Sequence, residues 1–392
     1  MSKVRVGLEK LMKDPRPIRG ARVGLVANQC SVTERLDHSV RLLHAGGDWK
    51  LVSLFGPEHG IWGDAQDMDQ IEHSVDPVTG LEVHSLYGSS EADLAPSPEA
   101  LGGLDVLVID LQDVGSRYYT FIYTMMLCMG AAAKVGVRVV VLDRPNPIGG
   151  VRIEGNIREE KYSSFVGLFP LPVRHGMTAG ELARYFNAKL GFGCELEVIA
   201  MDGWRRSMWY DQTGFPWVIP SPNMPTVATA TVYPGMCMIE GTNLSEGRGT
   251  TRPFELFGAP WLDPFALADA LNQVDLPGVR FRPHYFTPTF QKHAGAVCGG
   301  VELHVTDREA LEPFRTGLWC IKVARDLDPA QFDWRRETYE YVSDRLAIDL
   351  LAGSAGYRET LEAGGDPDQW ARAWKGEPEG FRKERQEFLI YE

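Results

Sequence analysis

An acid and an imidazole stand side by side where a predicted strand ends. The apolar run at residues 51–55 predicts a buried strand, and a Gly-Pro pair stops it directly before Glu58 and His59. Gly60 and Gly63 then allow the backbone to turn tightly. Ligands in open α/β sheets bind just beyond the carboxyl ends of the strands, so a Glu-His pair at this place indicates chemistry. A surface turn with a solvated acid is the alternative interpretation.

A second acidic residue lies in another segment rich in Gly and polar residues, at residues 241–255. Glu246 is flanked there by small residues and by Arg248. Hydrolysis of a glycosidic bond needs two carboxyl groups, one to protonate the leaving oxygen and one to activate water or attack the sugar. We therefore predict that Glu58 and Glu246 form an acid/base pair, with Glu240 as the alternative second acid.

Strand and helix patterns alternate through the first half of the chain. Near-continuous apolar runs separated by helical patterns indicate a parallel sheet with both faces covered, and hence a Rossmann-like, doubly wound α/β architecture. A G-x-G-x-x-G loop is absent after the first strand, which argues against a dinucleotide cofactor. The predicted strands span residues 22–27, 51–55, 83–86, 106–111, 137–142 and 195–201, and the predicted helices span residues 33–44, 98–101, 119–135 and 179–190.

Polar side chains follow several of these strands. Because the carboxyl ends of parallel strands meet at one edge of the sheet, we expect these side chains to line one pocket together with Glu58. For any single residue, a role as a helix cap or ion-pair partner is the alternative. The set comprises Asn28, His59, Asp110, Asp113, Arg117, Asp143, Arg144 and Asn146.

The composition of the chain changes at residues 204–225, which are rich in Trp, Pro and Gly. We expect an ordered crossing loop there, because its aromatic side chains require burial or a ligand on which to stack. Beyond it, strand patterns at 280–290 and 301–305 mix with helical patterns at 308–325, 344–351 and 367–388, which indicates a smaller α+β domain. The predicted domains are residues 1–225 and residues 226–392.

Charge and cysteine usage limit the class of partner and the compartment. The formal net charge of -13 argues against a nucleic-acid partner. The six cysteines are scattered without a C-x-x-C pair, which predicts reduced or inert thiols and no zinc site. The chain start lacks the apolar core of a signal peptide, and no run is long enough to span a membrane. We expect a cytoplasmic protein, or a periplasmic or secreted one if a leader was removed; the oligomeric state is left open.

Taken in order, the motifs resemble those of the exo-β-N-acetylmuramidases of the NamZ type, a family long described as a domain of unknown function. The resemblance spans most of the chain, and it includes the two segments that carry Glu58 and Glu246. The matching pieces are Val26–Gln29, Leu54–Gly63, Asp76–Gly88, Asp110–Met125, Asp143–Gly150, Pro220–Thr226, Tyr233–Trp261 and His293–Val305.

The resemblance implies a Rossmann-like N-terminal domain, a smaller α+β barrel-like domain and an active-site cleft between them. It implies a bacterial exo-acting hydrolase of peptidoglycan turnover and cell-wall recycling. Such an enzyme releases N-acetylmuramic acid from the non-reducing end of a muropeptide or disaccharide, without cofactor or metal. The family's catalytic glutamates correspond to Glu58 and Glu246. The predicted substrate-binding residues are Asn28, His59, Asp113, Arg117, Tyr118, Arg144, Asn146, Asn223 and Arg248.

The implied substrate carries a lactyl carboxylate, and a bidentate guanidinium contact suits such a group. We therefore predict that at least one of Arg117, Arg144 and Arg248 binds it, with a structural ion pair as the alternative for each. Aromatic side chains are candidates for stacking on the sugar face, with a place in the core as the alternative. They are Trp62, Tyr118, Tyr119 and Trp209.

Other classes of protein share some of these features. One is a hydrolase or lyase that acts on another amino sugar or a phosphosugar with the same two acids. Another is a non-catalytic cell-wall sugar-binding protein, which is disfavoured because a binder does not need a Pro-fixed Glu-His pair facing a second acid. A metal site is disfavoured by irregular ligand spacing; its ligands would be His59, Asp64, Asp67 and His73.

Overall fold

A seven-stranded sheet forms the centre of the first half of the chain. The computed structural model describes residues 3–66 and 69–392. The sheet strands have the order β3-β4-β2-β1-β5-β6-β9, and all neighbours are parallel except β3 and β4. The predicted doubly wound parallel sheet is confirmed. Along the chain the strands are β1 (Arg22–Ala27), β2 (Lys50–Gly56), β3 (Ser74–Val75), β4 (Glu82–Ser85), β5 (Val106–Asp110), β6 (Arg138–Leu142), the separate hairpin pair β7 (Glu154–Ile157) and β8 (Pro172–Arg174), and β9 (Leu196–Ile199).

Helices cover both faces of this sheet, which is why its central strands are apolar on both sides. One face packs against α1 (Gly7–Lys13) and α2 (Ser39–His44), and the other packs against α3 (Pro98–Leu101), α4 (Phe121–Val135) and α5 (Ala179–Leu190). The helix predicted at 33–44 is shorter, because the chain forms a loop up to His38. The His38 Nδ1 accepts a hydrogen bond from the Val40 backbone N–H, which caps the helix start at Ser39.

The second half is built on a three-stranded antiparallel sheet with β10 (Leu256–Ala259) and β11 (Val279–Phe286) at its edges and β12 (Cys298–Val305) between them. This agrees with the predicted α+β character. The helix predicted at 367–388 is interrupted, because the chain between residues 372 and 376 leaves the α-helical path before Pro378. The helices are α6 (Val227–Met236), α7 (Pro264–Gln273), α8 (Pro313–Leu327), α9 (Ala347–Ala352), α10 (Gly356–Glu362), α11 (Pro367–Ala371) and α12 (Glu377–Glu384).

The two halves share one continuous hydrophobic core, which runs from the α4 face of the sheet into the second half. The crossing segment at residues 204–225 buries Trp204, Trp209 and Phe215, as predicted. At the end of the chain, the Tyr391 hydroxyl donates to Asp143 at the end of β6. The predicted boundary at residue 225 falls directly before Thr226, the residue that caps α6.

All six cysteines are buried and form no disulfide. Burial raises the pKa of the Cys30 and Cys128 thiols well above the usual range, as expected for inert thiols. Across residues 3–66 and 69–392, no helix is both long enough and apolar enough to cross a bilayer.

Candidate active site

Glu58 lies in a tight turn at the end of β2. Gly56 has no room for a side chain, because a Cβ there would lie 2.9 Å from the Ile61 backbone nitrogen. The Gly60 N–H donates to the Pro57 carbonyl at 2.9 Å and closes the turn. His59 has φ +70°, a left-handed conformation that residues other than Gly rarely adopt. Strain of this kind persists where surrounding structure enforces it, and here it accompanies a Glu58 side chain that is only 6% exposed.

The Glu58 carboxylate is held at the start of α4. The Thr120 hydroxyl, at the position that precedes the helix, donates to Glu58 Oε2 at 2.6 Å. The positive end of the helix dipole favours an anion at this place. The His59 Nδ1–H donates to the Ala65 carbonyl at 3.0 Å, which fixes the imidazole orientation.

Glu58 faces a cavity whose walls come from both halves of the chain. Aromatic rings supply much of the wall, and carboxyl and hydroxyl groups supply its polar contacts. Such a mixture suits a sugar, which presents apolar C–H faces and polar hydroxyl edges. The other lining residues are His59, Tyr118, Tyr119, Thr120, Phe121, Val166, Ser221, Asn223, Met224, Tyr233, Glu240, Arg248, Phe254, Tyr339 and Glu340.

Glu240 lies on this wall, in a short 3-10 turn that follows α6. The Arg248 guanidinium donates to its Oε1 at 2.7 Å, and the Tyr339 hydroxyl donates to its Oε2 at 2.6 Å. Burial alone would raise the pKa of Glu240, but Arg248 and the Tyr339 hydroxyl outweigh burial and hold that pKa below its usual value. Glu240 is therefore a carboxylate anion at neutral pH.

Glu246 does not line the cavity and instead supports Arg248. Its Oε1 lies 3.4 Å from Arg248 Nε, and its Oε2 accepts from Lys292 Nζ at 2.9 Å. The same ammonium donates to three backbone carbonyls, those of Ile239, Glu240 and Leu244. The buried charges therefore alternate, from Lys292 through Glu246 and Arg248 to Glu240. Of the two candidates for the second acid, the structure brings Glu240, and not Glu246, to the cavity wall with Glu58.

Of the three arginines predicted to bind a carboxylate, only Arg248 lines the cavity. Its guanidinium also lies over the Phe254 ring, 5.1 Å from the centroid. Arg117 is fully buried elsewhere and donates to the backbone carbonyls of Asn156, Leu171 and Leu351. These contacts tie the two halves together, and they argue against substrate binding by Arg117.

Arg144 is likewise occupied inside the fold. It makes a bidentate contact with the Asp110 carboxylate, at 2.6 and 2.9 Å, and donates to the Val32 carbonyl at 3.1 Å. This pair joins the ends of β5 and β6 and is buried on both sides. The structural alternative that the sequence left open thus describes Arg144.

Three other predicted binding residues shape turns and lie outside the cavity wall. The Asn28 Oδ1 accepts from the Cys30 N–H at 3.2 Å. The Asp113 Oδ2 accepts from the Gly115 N–H at 2.8 Å and lies 3.3 Å from His175 Nε2. The Asn146 Nδ2 donates to the Met177 carbonyl at 2.9 Å. The strand ends near β1, β5 and β6 therefore form a buried polar network and not the pocket expected there.

Tyr118 and Asn223 do reach the cavity, as predicted. The Tyr118 hydroxyl donates to the Pro234 carbonyl, and the Asn223 amide donates to Gln66 Oε1 at 3.1 Å. Tyr119 lines the cavity as well. Trp62 is 38% exposed outside its wall, with its Nε1–H donating to Asp76. Trp209 is buried, and its ring lies beneath the Arg174 and Arg308 guanidinium groups.

Sequence reasoning missed Thr120, Lys292, Tyr339 and Glu340. Thr120 carried a signal, because it stands one residue before a predicted helical run. Glu340 carried none, since the turn that presents it has a Glu and a Tyr where Gly or Asn is usual.

The described parts of the chain hold no group of three or more His, Cys, Asp or Glu side chains able to bind a metal. His73, one of the ligands considered above, accepts a hydrogen bond from the Ser85 N–H at 3.0 Å. Asp67, another of them, lies outside the described residues.

Comparisons with known proteins agree with this fold. Residues 23–228 match the family description "Exo-beta-N-acetylmuramidase NamZ, N-terminal", and residues 231–391 match "Exo-beta-N-acetylmuramidase NamZ, C-terminal". The chain is 47% identical over 390 residues to the peptidoglycan beta-N-acetylmuramidase NamZ of Bacillus subtilis (strain 168), covering 99% of this chain and 92% of that protein.

Two crystal structures of DUF1343 family proteins from Bacteroides fragilis NCTC 9343 share the whole architecture. One has a TM-score of 0.88 at 35% identity, and the other has a TM-score of 0.77 at 27% identity. Each comparison covers 100% of this chain and 99% of the other.

Fold, cavity and relatives together define a glycoside hydrolase. The chain belongs to the exo-β-N-acetylmuramidase NamZ family, with both the N-terminal and the C-terminal part of that family present.

Proposed function

We propose that the protein removes N-acetylmuramic acid from the non-reducing end of peptidoglycan fragments, with Glu58 and Glu240 as its two catalytic carboxyl groups. The observation that carries this proposal is that the two residues enter one cavity from different halves of the chain. A glycosidase needs one carboxyl group on each side of the scissile bond. The name of the Bacillus subtilis relative supports the choice of sugar and polymer.

The surroundings of the two acids favour different roles. Glu240 is ionised, because Arg248 and Tyr339 stabilise its anion, and this suits the residue that stabilises positive charge, attacks the sugar or activates water. Glu58 accepts only the Thr120 hydroxyl at Oε2 among the printed side-chain contacts of the described residues. Its Oε1 is then the oxygen that would carry the proton to the leaving group.

Arg248 is the residue that we propose binds the lactyl carboxylate. It is the one arginine of the three candidates on the cavity wall, and Glu246 and Glu240 orient it. A charge-assisted hydrogen bond to a buried anion contributes about 1.5–3 kcal/mol. The muramide should therefore be cleaved roughly tenfold to a hundredfold better than a glucosaminide that lacks this group.

The substrate is tested by offering a chromogenic β-N-acetylmuramide and the matching β-N-acetylglucosaminide to the wild-type protein. Preference for the muramide is expected. Equal cleavage of both would show that the lactyl group is not recognised and would favour a broader amino-sugar hydrolase.

Exo action is tested with a glycan fragment labelled at its reducing end and followed by mass spectrometry. The expected products are free N-acetylmuramic acid and a labelled chain one sugar shorter. Internal fragments at early times would contradict exo action. Tight binding of the fragment without any product would instead support a sugar-binding protein.

A further inference from the structure

We propose that Glu340 is a third acidic residue of the active site and accepts a hydrogen bond from an O–H or N–H group of the sugar that is cleaved. This inference rests on the proposed function, because it requires the cavity to hold a sugar. It assigns substrate contact to a residue in the second half of the chain that none of the sequence motifs contains.

Glu340 sits at the tip of a strained turn. Tyr339 and Val342 exchange two backbone hydrogen bonds of 2.9 Å, one in each direction. The two residues between them, Glu340 and Tyr341, have φ of +46° and +68°. Two successive positive φ angles are typical of a type I′ turn, where Gly and Asn are strongly preferred. A Glu and a Tyr at these places make the turn less stable than the sequence could have made it.

The turn is anchored without the Glu340 carboxylate. The Tyr339 hydroxyl donates to Glu240, and the Tyr341 hydroxyl donates to the Gly88 carbonyl at 3.0 Å. The first contact is made within the second half of the chain, and the second reaches the segment after β4 in the first half. Two phenols therefore fix the turn across the cavity, so holding it in place is not the task that requires an acid at residue 340.

The carboxylate itself is placed inside the cavity. Glu340 is 5% exposed and lines the same wall as Glu58 and Glu240. The Tyr87 hydroxyl donates to its Oε2 at 3.3 Å, a long hydrogen bond. Burial, together with the charges of Glu58 and Glu340, raises the pKa of Tyr87 far above its usual value, so Tyr87 stays a neutral donor between the two acids.

A buried carboxylate is costly unless it is paired or hydrogen-bonded. A sugar offers several hydroxyl groups and, in an amino sugar, an amide N–H, and all of these donate to a carboxylate. Backbone strain at a buried acid beside the catalytic pair is the pattern expected where function overrides local stability. Glu340 thus matches the donor groups of a bound sugar.

The test compares three variants of the full chain, Glu340→Gln, Glu340→Gly and the control Glu337→Gln. Glu337 belongs to the same segment, but its side chain is 78% exposed. Each variant is measured for kcat and KM on the β-N-acetylhexosaminide that the wild type cleaves best, and for thermal unfolding.

Both changes at Glu340 should lower kcat/KM by about tenfold to a hundredfold, the effect of losing a hydrogen bond to a charged group. The Glu340→Gly variant should melt at or above the wild-type temperature, because Gly adopts this φ without strain. The control should match the wild type in both measurements.

A kcat/KM within twofold of the wild type in both Glu340 variants would overturn the inference. So would a Gly variant that loses activity and melts well below the wild type, because that result describes a structural residue. Wild-type preference for a sugar other than the muramide would refute the proposed substrate while leaving the comparison among variants intact.

Discussion

The hydroxyl group of Tyr339 should set the pH at which the enzyme loses activity on the acid side. That hydroxyl donates to Glu240 at 2.6 Å and helps to hold the pKa of this carboxyl low. Changing Tyr339 to Phe removes the hydroxyl and keeps the ring in the wall. Since the lost contact stabilised the anion, the pKa of Glu240 must rise in the variant.

The size of the change follows from the contact that is lost. A hydrogen bond to a charged group is worth about 1.5–3 kcal/mol, and one pKa unit corresponds to about 1.4 kcal/mol. The Tyr339→Phe change should therefore raise the pKa of Glu240 by about one to two units. If Glu240 acts as an anion, the acid limb of the pH–rate profile moves to higher pH by the same amount.

Stability gives a second measurement of the same quantity. A carboxyl with a depressed pKa contributes stability above its unfolded pKa and loses it as the pH falls through the folded pKa. The wild type should thus unfold less readily than the variant at neutral pH, and the difference should shrink as the pH falls below 4.5, the ordinary value for Glu.

The assay is the pH dependence of kcat on the chromogenic muramide for the wild type, Tyr339→Phe and Tyr341→Phe. The Tyr341 hydroxyl lies in the same turn but donates to the Gly88 carbonyl, so its removal should leave the acid limb in place. An unmoved acid limb in a well-folded Tyr339→Phe variant would refute the assignment of Glu240 as the ionised partner.

Three further predictions concern single residues. Glu58→Gln should lower kcat by roughly a hundredfold or more with unchanged unfolding, and near-normal turnover by a folded variant would remove Glu58 from the mechanism. Arg248→Ala should slow both substrates, because it also frees Glu240, but should lower the ratio of muramide to glucosaminide kcat/KM by about tenfold or more; an unchanged ratio would refute lactyl recognition. Arg117→Met should reduce the free energy of unfolding by about 3 kcal/mol or more, as measured by urea denaturation, with KM unchanged at low temperature. A raised KM with full stability would contradict that structural role.

The elements that sequence patterns predicted well are those with strong local signals. The strands of the parallel sheet are apolar runs, and their positions agree with the structure to within a few residues. Helix α5 begins and ends as predicted, because Thr178 and Glu181 form a capping box at its start and Gly191 ends it. Helix α6 was missed, because its Val, Thr and Pro234 are poor helix formers and only burial in the shared core stabilises it.

The site shows the same division. Glu58 was found because Gly, Pro and His beside an acid mark a constrained turn. Whether an arginine faces a ligand or a backbone carbonyl depends on segments far away in sequence, so Arg117 and Arg144 could not be told apart from Arg248. Glu340 lies in a turn whose sequence is unfavourable for that conformation, and local preference therefore points away from it.

The division of the cavity wall between two halves has a consequence for the order of events during synthesis. Glu58 leaves the ribosome early, whereas Tyr339 and Glu340 follow only after more than half of the chain has been made. A nascent chain with its parallel sheet already formed still lacks Glu240, its guanidinium partner and the turn at residues 339–342. Hydrolysis therefore begins only on completed molecules, and unfinished or prematurely terminated chains present no working catalyst to the cell wall.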